Sequence, residues 1–115
     1  MSIIMHVTKR DAWTEAQAIG SYRAASLDTE GFIHCSRPDQ AIAVANFIFR
    51  GQSDLVILGI DEAKVISEIK YDYPLGGKEP YPHIYGPLNL DAVTQVVDFD
   101  PLPDGTFELP ESLSG

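Results

Sequence analysis

The sequence has little cysteine, little positive charge and no long apolar run. Its 115 residues include one cysteine, Cys35, which has no partner for an internal disulfide, so nothing indicates an oxidising compartment. Eight basic residues stand against 17 acidic ones, and the net charge of −9 disfavours nucleic acid as the main partner. No apolar segment reaches membrane-spanning length, and the N-terminus lacks the pattern of a signal peptide. We therefore expect a cytoplasmic protein without a membrane partner.

The composition is that of one globular domain, with 44% hydrophobic and 22% charged residues. We expect about six strands and two helices, both in the N-terminal half. This order favours an α+β domain with a mixed or antiparallel, split sheet, because a doubly wound sheet needs a helix after nearly every strand. The domain is expected to cover residues 1–100, and residues 101–115 are expected to form a partly frayed C-terminal extension, in which "FEL" could add a last strand.

The clearest elements are two helices and one central strand. A helix is predicted in "KRDAWTEAQAIG", with Thr8 as its cap and Gly20 as its stop. A second is predicted in "DQAIAVANFIFRG", with Pro38 in its first turn and Gly51 at its end. The segment "DLVILGI" is almost entirely apolar, which predicts a strand covered on both faces.

Two segments have weaker patterns. "SYRAASL" is interpreted as a short extended piece. Residues 74–88 contain four of the eight prolines and three of the nine glycines, a composition that is incompatible with a helix and disfavours a central strand. We expect this segment to be a long, ordered, functional loop.

The three histidines are the first candidates for a functional site. None has the spacing of a local metal site. A single isolated histidine is usually a half-buried structural residue, but a small core has little room for three unrelated imidazoles. The sequence therefore predicts that they meet in one pocket. Each is flanked by apolar residues and followed two residues later by a hydroxyl: His6 by Thr8, His34 by Ser36, and His83 by Tyr85.

The stretch "FIHCSR" contains several reactive residue types. Adjacent strand residues point to opposite faces, so His34 and Cys35 are not expected to form a nucleophile–base pair. Cys35 is interpreted as a small core residue, and Ser36 shares the face of His34. Arg37 could bind an anion, as could Arg23, although a solvated surface role is open for both.

Four segments carry a resemblance to a family of small bacterial proteins of unknown function, over roughly residues 3–100. They are "MHVTKRDAW", "YRAASLDTEGFIHCSRPDQ", "DLVILGID" and "EPYPHIYGPLNLDAV". That family is usually grouped with the ADP-ribosyltransferase superfamily. "MHVT" is similar to its first motif, and "FIHCS" closely resembles the second motif of the RNA 2′-phosphotransferase branch. The resemblance implies an ADP-ribosyltransferase-like fold and NAD as the cofactor.

The same resemblance implies roles for individual residues. His6 would contact the ribose of NAD, and the backbone at Val7 and Thr8 would hold the nicotinamide amide. His34 would act in catalysis and in cofactor binding. Ser36 would also line the cofactor pocket. Arg23 and Arg37 are further cofactor-binding candidates on a different ground, because a guanidinium can bind a phosphate.

The stretch "HIYGPLNLDAV" resembles the third motif of the superfamily but departs from its pattern. The position of the superfamily's catalytic glutamate falls on or beside His83, which with Tyr85 would face the reacting centre. A carboxylate stabilises developing positive charge better than an imidazole does. Three hypotheses therefore stay open: an NAD-dependent transferase-like enzyme acting on a small or phosphorylated substrate, a non-catalytic ligand-binding module of the same fold, and a three-histidine metal site.

Overall fold

The structure, a computed structural model, describes residues 2–74 and 77–110. Short 3₁₀ turns lie at Glu62–Lys64 and Leu90–Ala92. The helices are α1 (Arg10–Ile19), α2 (Ala25–Thr29) and α3 (Pro38–Ile48); the strands are β1 (Ile3–Lys9), β2 (Ser21–Tyr22), β3 (Ile33–His34), β4 (Leu55–Asp61), β5 (Ile69–Asp72), β6 (Tyr81–Ile84), β7 (Leu88–Asn89) and β8 (Val93–Asp98).

The described strands form three antiparallel sheets. Their orders are β1-β4-β8, β2-β7 and β3-β6-β5. The radius of gyration over the Cα atoms is 13.4 Å, as expected for one compact domain of about 100 residues. The prediction of a single α+β domain with antiparallel sheets is confirmed.

Strand β4 is the centre of the fold, as its sequence predicts. All seven of its residues are buried, and it lies between β1 and β8. Because side chains alternate along a strand, β4 contributes to two apolar clusters. Leu58 packs in one cluster with Trp13 and Ile84, and Ile57 packs in the other with Ala45. Helix α1 and the β3-β6-β5 sheet thus share one core with β4, and α3 shares the other.

The predicted start of α1 is wrong by one residue. The N-cap is Lys9, without a side-chain cap bond, and Thr8 remains in β1. The Thr8 hydroxyl bonds to Tyr22 instead, so a tertiary contact has displaced the local cap. The end of the helix is as predicted: Gly20 adopts a φ of 101°, and its amide donates to Ala16.

Helix α3 begins at Pro38, as predicted. The amide of Arg37 donates to Gln40 Oε1 over 3.0 Å, which secures the first turn. The helix ends at Ile48, before the predicted stop at Gly51.

The prediction of two helices is wrong, because residues 25–29 form a third. Helix α2 has five residues and no buried side chain, so it lacks the apolar periodicity by which a helix is recognised in a sequence.

The prediction that residues 74–88 form one irregular loop is also wrong. Residues 81–84 form β6, the middle strand of the β3-β6-β5 sheet. Pro82 is tolerated there because it lies where the β3 ladder ends. Its carbonyl accepts from the Cys35 amide over 3.1 Å, and after Cys35 the chain turns to pair Ser36 with Met5.

Residues 101–110 pack against the domain without forming a helix or strand, so the strand proposed for "FEL" is wrong. The side chain of Phe107 is buried and stacks on Phe99, with ring centroids 4.7 Å apart. Within the extension that is expected to be partly frayed, residues 111–115 lie outside the described part. Among the described residues, no helix is long and apolar enough to cross a membrane.

Candidate functional site

One face of the β3-β6-β5 sheet presents most of the polar side chains of the candidate site. In this sheet Ile33 pairs with Ile84, and His34 pairs with His83. Because alternate residues point to opposite faces, the two isoleucines enter the core and the two histidines lie together on the other face. Their ring centroids are 5.2 Å apart.

A cleft of about 880 Å³ opens beside this face, within the range of small-molecule sites. Residues of β1, β3, α3, β5 and β6 line it, together with adjoining loops. The structure brings six of the residues singled out in the sequence to its wall: His6, Val7, His34, Ser36, His83 and Tyr85.

His83 is held by an aspartate on the neighbouring strand. Its Nδ1 lies 2.9 Å from Asp72 Oδ2, and the Tyr85 hydroxyl donates to the same oxygen. The bonds from Tyr85 and His83 hold the pKa of Asp72 below its ordinary value. The Asp72 carboxylate beside Tyr85 in turn raises the pKa of that phenol. Asp72 is therefore an ionised acceptor at neutral pH, with two donors directed at one oxygen.

Phe32 and Glu30 each contact one of the two facing histidines. The ring of Phe32 stacks on His83 with centroids 4.1 Å apart and an interplanar angle of 10°. His34 Nε2 lies 2.9 Å from Glu30 Oε2, and the side chain of His34 is half-exposed. The two facing histidines thus each contact a carboxylate.

His6 is buried next to the backbone of His34, and both of its ring nitrogens are hydrogen-bonded within the protein. Nδ1 contacts the carbonyl of His34, and Nε2 lies 2.7 Å from the Tyr22 hydroxyl. Burial lowers the pKa of His6 to about 4, so the ring is neutral at pH 7. Since a carbonyl can only accept, Nδ1 carries the proton and Nε2 accepts from Tyr22. His6 therefore links β1 to the backbone of β3.

Cys35 is a core residue, as its strand position predicts. It is 4% exposed and packs in the same cluster as Ile33. Burial raises the pKa of its thiol well above the ordinary value, so the reactive thiolate is disfavoured. Burial and strand position thus both assign Cys35 to the core rather than to the polar face of the sheet.

The structure places three of the residues assigned to cofactor binding away from the cleft wall. Arg23 pairs with Asp28 at 3.0 Å, and Arg37 pairs with Asp39 at 3.2 Å. Thr8 bonds to Tyr22. Among the described residues, no lysine or arginine lines the cleft. Its wall therefore carries carboxylates, and the cation beside them is Lys70, whose ammonium lies 5.0 Å from the centre of the Tyr85 ring.

A metal site finds no support in this geometry. Among residues 2–74 and 77–110, no group of three or more histidine, cysteine or acidic side chains is arranged to hold a metal ion. The two ring nitrogens of His6 already have protein partners.

Three residues of the site were not recognised in the sequence: Asp72, Glu30 and Phe32. Phe32 carried a usable signal, because it precedes His34 by two residues and so shares its face. Asp72 carried none, since only the pairing of β5 with β6 brings it to His83.

Comparisons with known proteins agree with this fold and name no activity. No curated protein matches the chain. A crystal structure of protein CC0527 from Caulobacter crescentus is 33% identical, with a TM-score of 0.89 over 99% of this chain and 100% of that chain. A solution NMR structure of CC0527 gives 34% identity and a TM-score of 0.84 over 99% and 98% of the two chains. The model of one family, described as "Protein of unknown function (DUF952)", matches residues 7–96, and the chain belongs to that family.

Proposed function

We propose that the cleft binds NAD or an ADP-ribose-type ligand through its nicotinamide–ribose end, and that the protein is ADP-ribosyltransferase-like. The observation that supports this proposal is the meeting of three distant segments. His6, His34 and His83 are 28 and 49 residues apart in the chain and line one cleft. These are the three segments that carry the resemblance to the superfamily.

The charge of the cleft suits one end of such a ligand. The nicotinamide ring of NAD is a cation, and the wall offers the carboxylates of Asp72 and Glu30 beside the flat rings of Phe32 and Tyr85. Carboxylates and aromatic faces both attract a cationic ring. The pyrophosphate finds no basic side chain on the described wall and would lie toward solvent. When bound, NAD supplies a transferable ADP-ribosyl group.

Asp72 provides a carboxylate beside His83, the position at which the superfamily pattern has its catalytic glutamate. It approaches His83 from β5, so an acidic group is present there in space although position 83 itself is a histidine. His6 would support the site through the His34 backbone, because its ring nitrogens are already bonded. The acidic wall also favours a neutral or cationic acceptor over a phosphorylated one.

Calorimetry with NAD, NADH and ADP-ribose tests this proposal. We expect saturable binding that His34→Ala weakens at least about tenfold, a change of about 1.4 kcal/mol. Gln17→Ala, on the exposed side of α1, is the matched control and should bind like the wild type. Absence of binding of all three compounds at millimolar concentration would contradict the proposal.

Chromatography of the NAD incubation separates catalysis from binding alone. Release of nicotinamide with an added acceptor would support a transferase. Unchanged NAD after saturable binding would instead support a non-catalytic module. That outcome is favoured by the histidine at the position of the superfamily's catalytic glutamate.

A further inference from the structure

We propose that Asp72 is a positioning residue, which orients the imidazole of His83 so that Nε2 faces the cleft. There Nε2 takes the proton from the hydroxyl group of a neutral molecule, the acceptor of the transferred group. The use of this pair in transfer chemistry rests on the proposed function. The hydrogen-bonded pair itself rests on the structure alone.

Strand register explains why these two side chains meet. His83 is directly opposite Lys70, so Asp72 is its diagonal neighbour on the same face. The carboxylate can only accept at pH 7, because the pKa of Asp72 is lowered by its bonds to Tyr85 and His83. The hydrogen of the 2.9 Å contact therefore belongs to His83 Nδ1. In the neutral ring, Nε2 is left as the acceptor.

The free nitrogen of His83 reaches the cleft. No residue of the described part bonds to Nε2, and no buried side-chain nitrogen or oxygen there lacks a partner. Since the side chain is only 11% exposed and lines the cleft, the accessible edge of the ring is the Nε2 edge.

Two further contacts fix this orientation. The stacked ring of Phe32 covers one face of His83, so the imidazole cannot rotate freely. The second donor, the Tyr85 hydroxyl, fixes the accepting oxygen of Asp72. A base oriented by a carboxylate that is itself fixed is a recurring arrangement for proton abstraction.

The proton transfer balances within these groups. The O–H bond of the acceptor breaks, its electron pair stays on oxygen, and the proton binds to His83 Nε2. The Asp72 carboxylate then compensates the positive charge of the imidazolium.

The wall of the cleft indicates the class of acceptor. The carboxylates of Asp72 and Glu30 on the described wall outnumber the ammonium of Lys70, which lies 5.0 Å from the centre of the Tyr85 ring, and this balance disfavours an anion. Helix α3 contributes Phe47 and Ile48, which are 89% and 55% exposed. Their side chains are available to contact an apolar part of the acceptor molecule. An uncharged alcohol or phenol fits both observations.

Nitrogen-15 NMR of the ligand-free protein tests the orientation of His83. We expect the Nδ1–H tautomer in the wild type. Asp72→Asn should shift His83 toward the Nε2–H tautomer, because the amide can donate to Nδ1, and Asp72→Glu should restore the original form. Asp98→Asn, another strand aspartate with one hydrogen-bond partner, is the control and should leave the His83 signals unchanged.

Diethyl pyrocarbonate at pH 7, followed by mass spectrometry, reports the accessible nitrogen independently. Modification of His83 should slow about tenfold in Asp72→Asn, while the exposed His34 provides an internal reference. An Nε2–H tautomer in the wild type, or an unchanged rate of modification in Asp72→Asn, would overturn the role proposed for Asp72. Either result would leave the separate proposal that the cleft binds NAD in place. Absence of NAD binding with the expected tautomer would remove the proposed function and leave the Asp72–His83 pair in place.

Discussion

The buried His6 predicts a specific loss of stability on mild acidification. Its pKa in the folded protein is about 4, against an ordinary value of 6.5, because burial disfavours the charged ring. The unfolded chain therefore binds a proton at a pH where the folded chain does not. The contribution of the neutral His6 to the free energy of unfolding is fully present above pH 6.5. It decreases as the pH falls from 6.5 toward 4, and this group causes no further loss below pH 4.

The magnitude follows from the two pKa values. Between pH 7 and pH 5 the linkage relation gives a loss of about 2 kcal/mol from this one side chain. In a small domain of marginal stability, that is a large share of the free energy of unfolding.

Urea unfolding of the wild type and His6→Gln at several pH values between 7 and 5 isolates the effect. The variant is less stable at pH 7, but its free energy of unfolding should fall about 2 kcal/mol less than that of the wild type over this range. Titration of other groups is common to both proteins and cancels in the comparison. The control His34→Gln keeps His6 and should retain the steep dependence. Equal pH dependence in the wild type and His6→Gln would refute the reasoning.

Two further changes test other parts of the structure. Tyr22→Phe leaves the buried Nε2 of His6 without its donor, so the free energy of unfolding in urea at pH 7 should fall by about 1–3 kcal/mol, and a loss below about 0.5 kcal/mol would contradict the network. Phe107→Ala removes a buried ring stacked on Phe99 and should cost about 3 kcal/mol in the same assay. A loss under about 1 kcal/mol would show that residues 101–110 contribute little to the domain.

The elements predicted correctly from the sequence are those whose pattern is set by burial. Strand β4 is buried on both faces, and its continuous apolar run states this directly. Helix α3 buries one stripe and begins at a proline. Helix α2 has no buried residue, so no pattern marks it.

The candidate site, too, has features that the sequence predicts and features that it does not. The separation of His34 from Cys35 follows from alternation within one strand, which a sequence displays. The bond between Asp72 and His83 depends on the register of β5 against β6, and the bonds of His6 depend on the packing of β1 against β3 and β2. Such pairings are tertiary, and one sequence contains no local signal for them.

Pro82 has a consequence for the precision of the site. If β6 slipped by one residue against β3, the position without an N–H would move relative to the ladder, and His83 would turn toward the core while Ile84 faced the cleft. The observed register, in which Pro82 lies at the end of the β3 ladder, is thus the one that places both histidines on the cleft face.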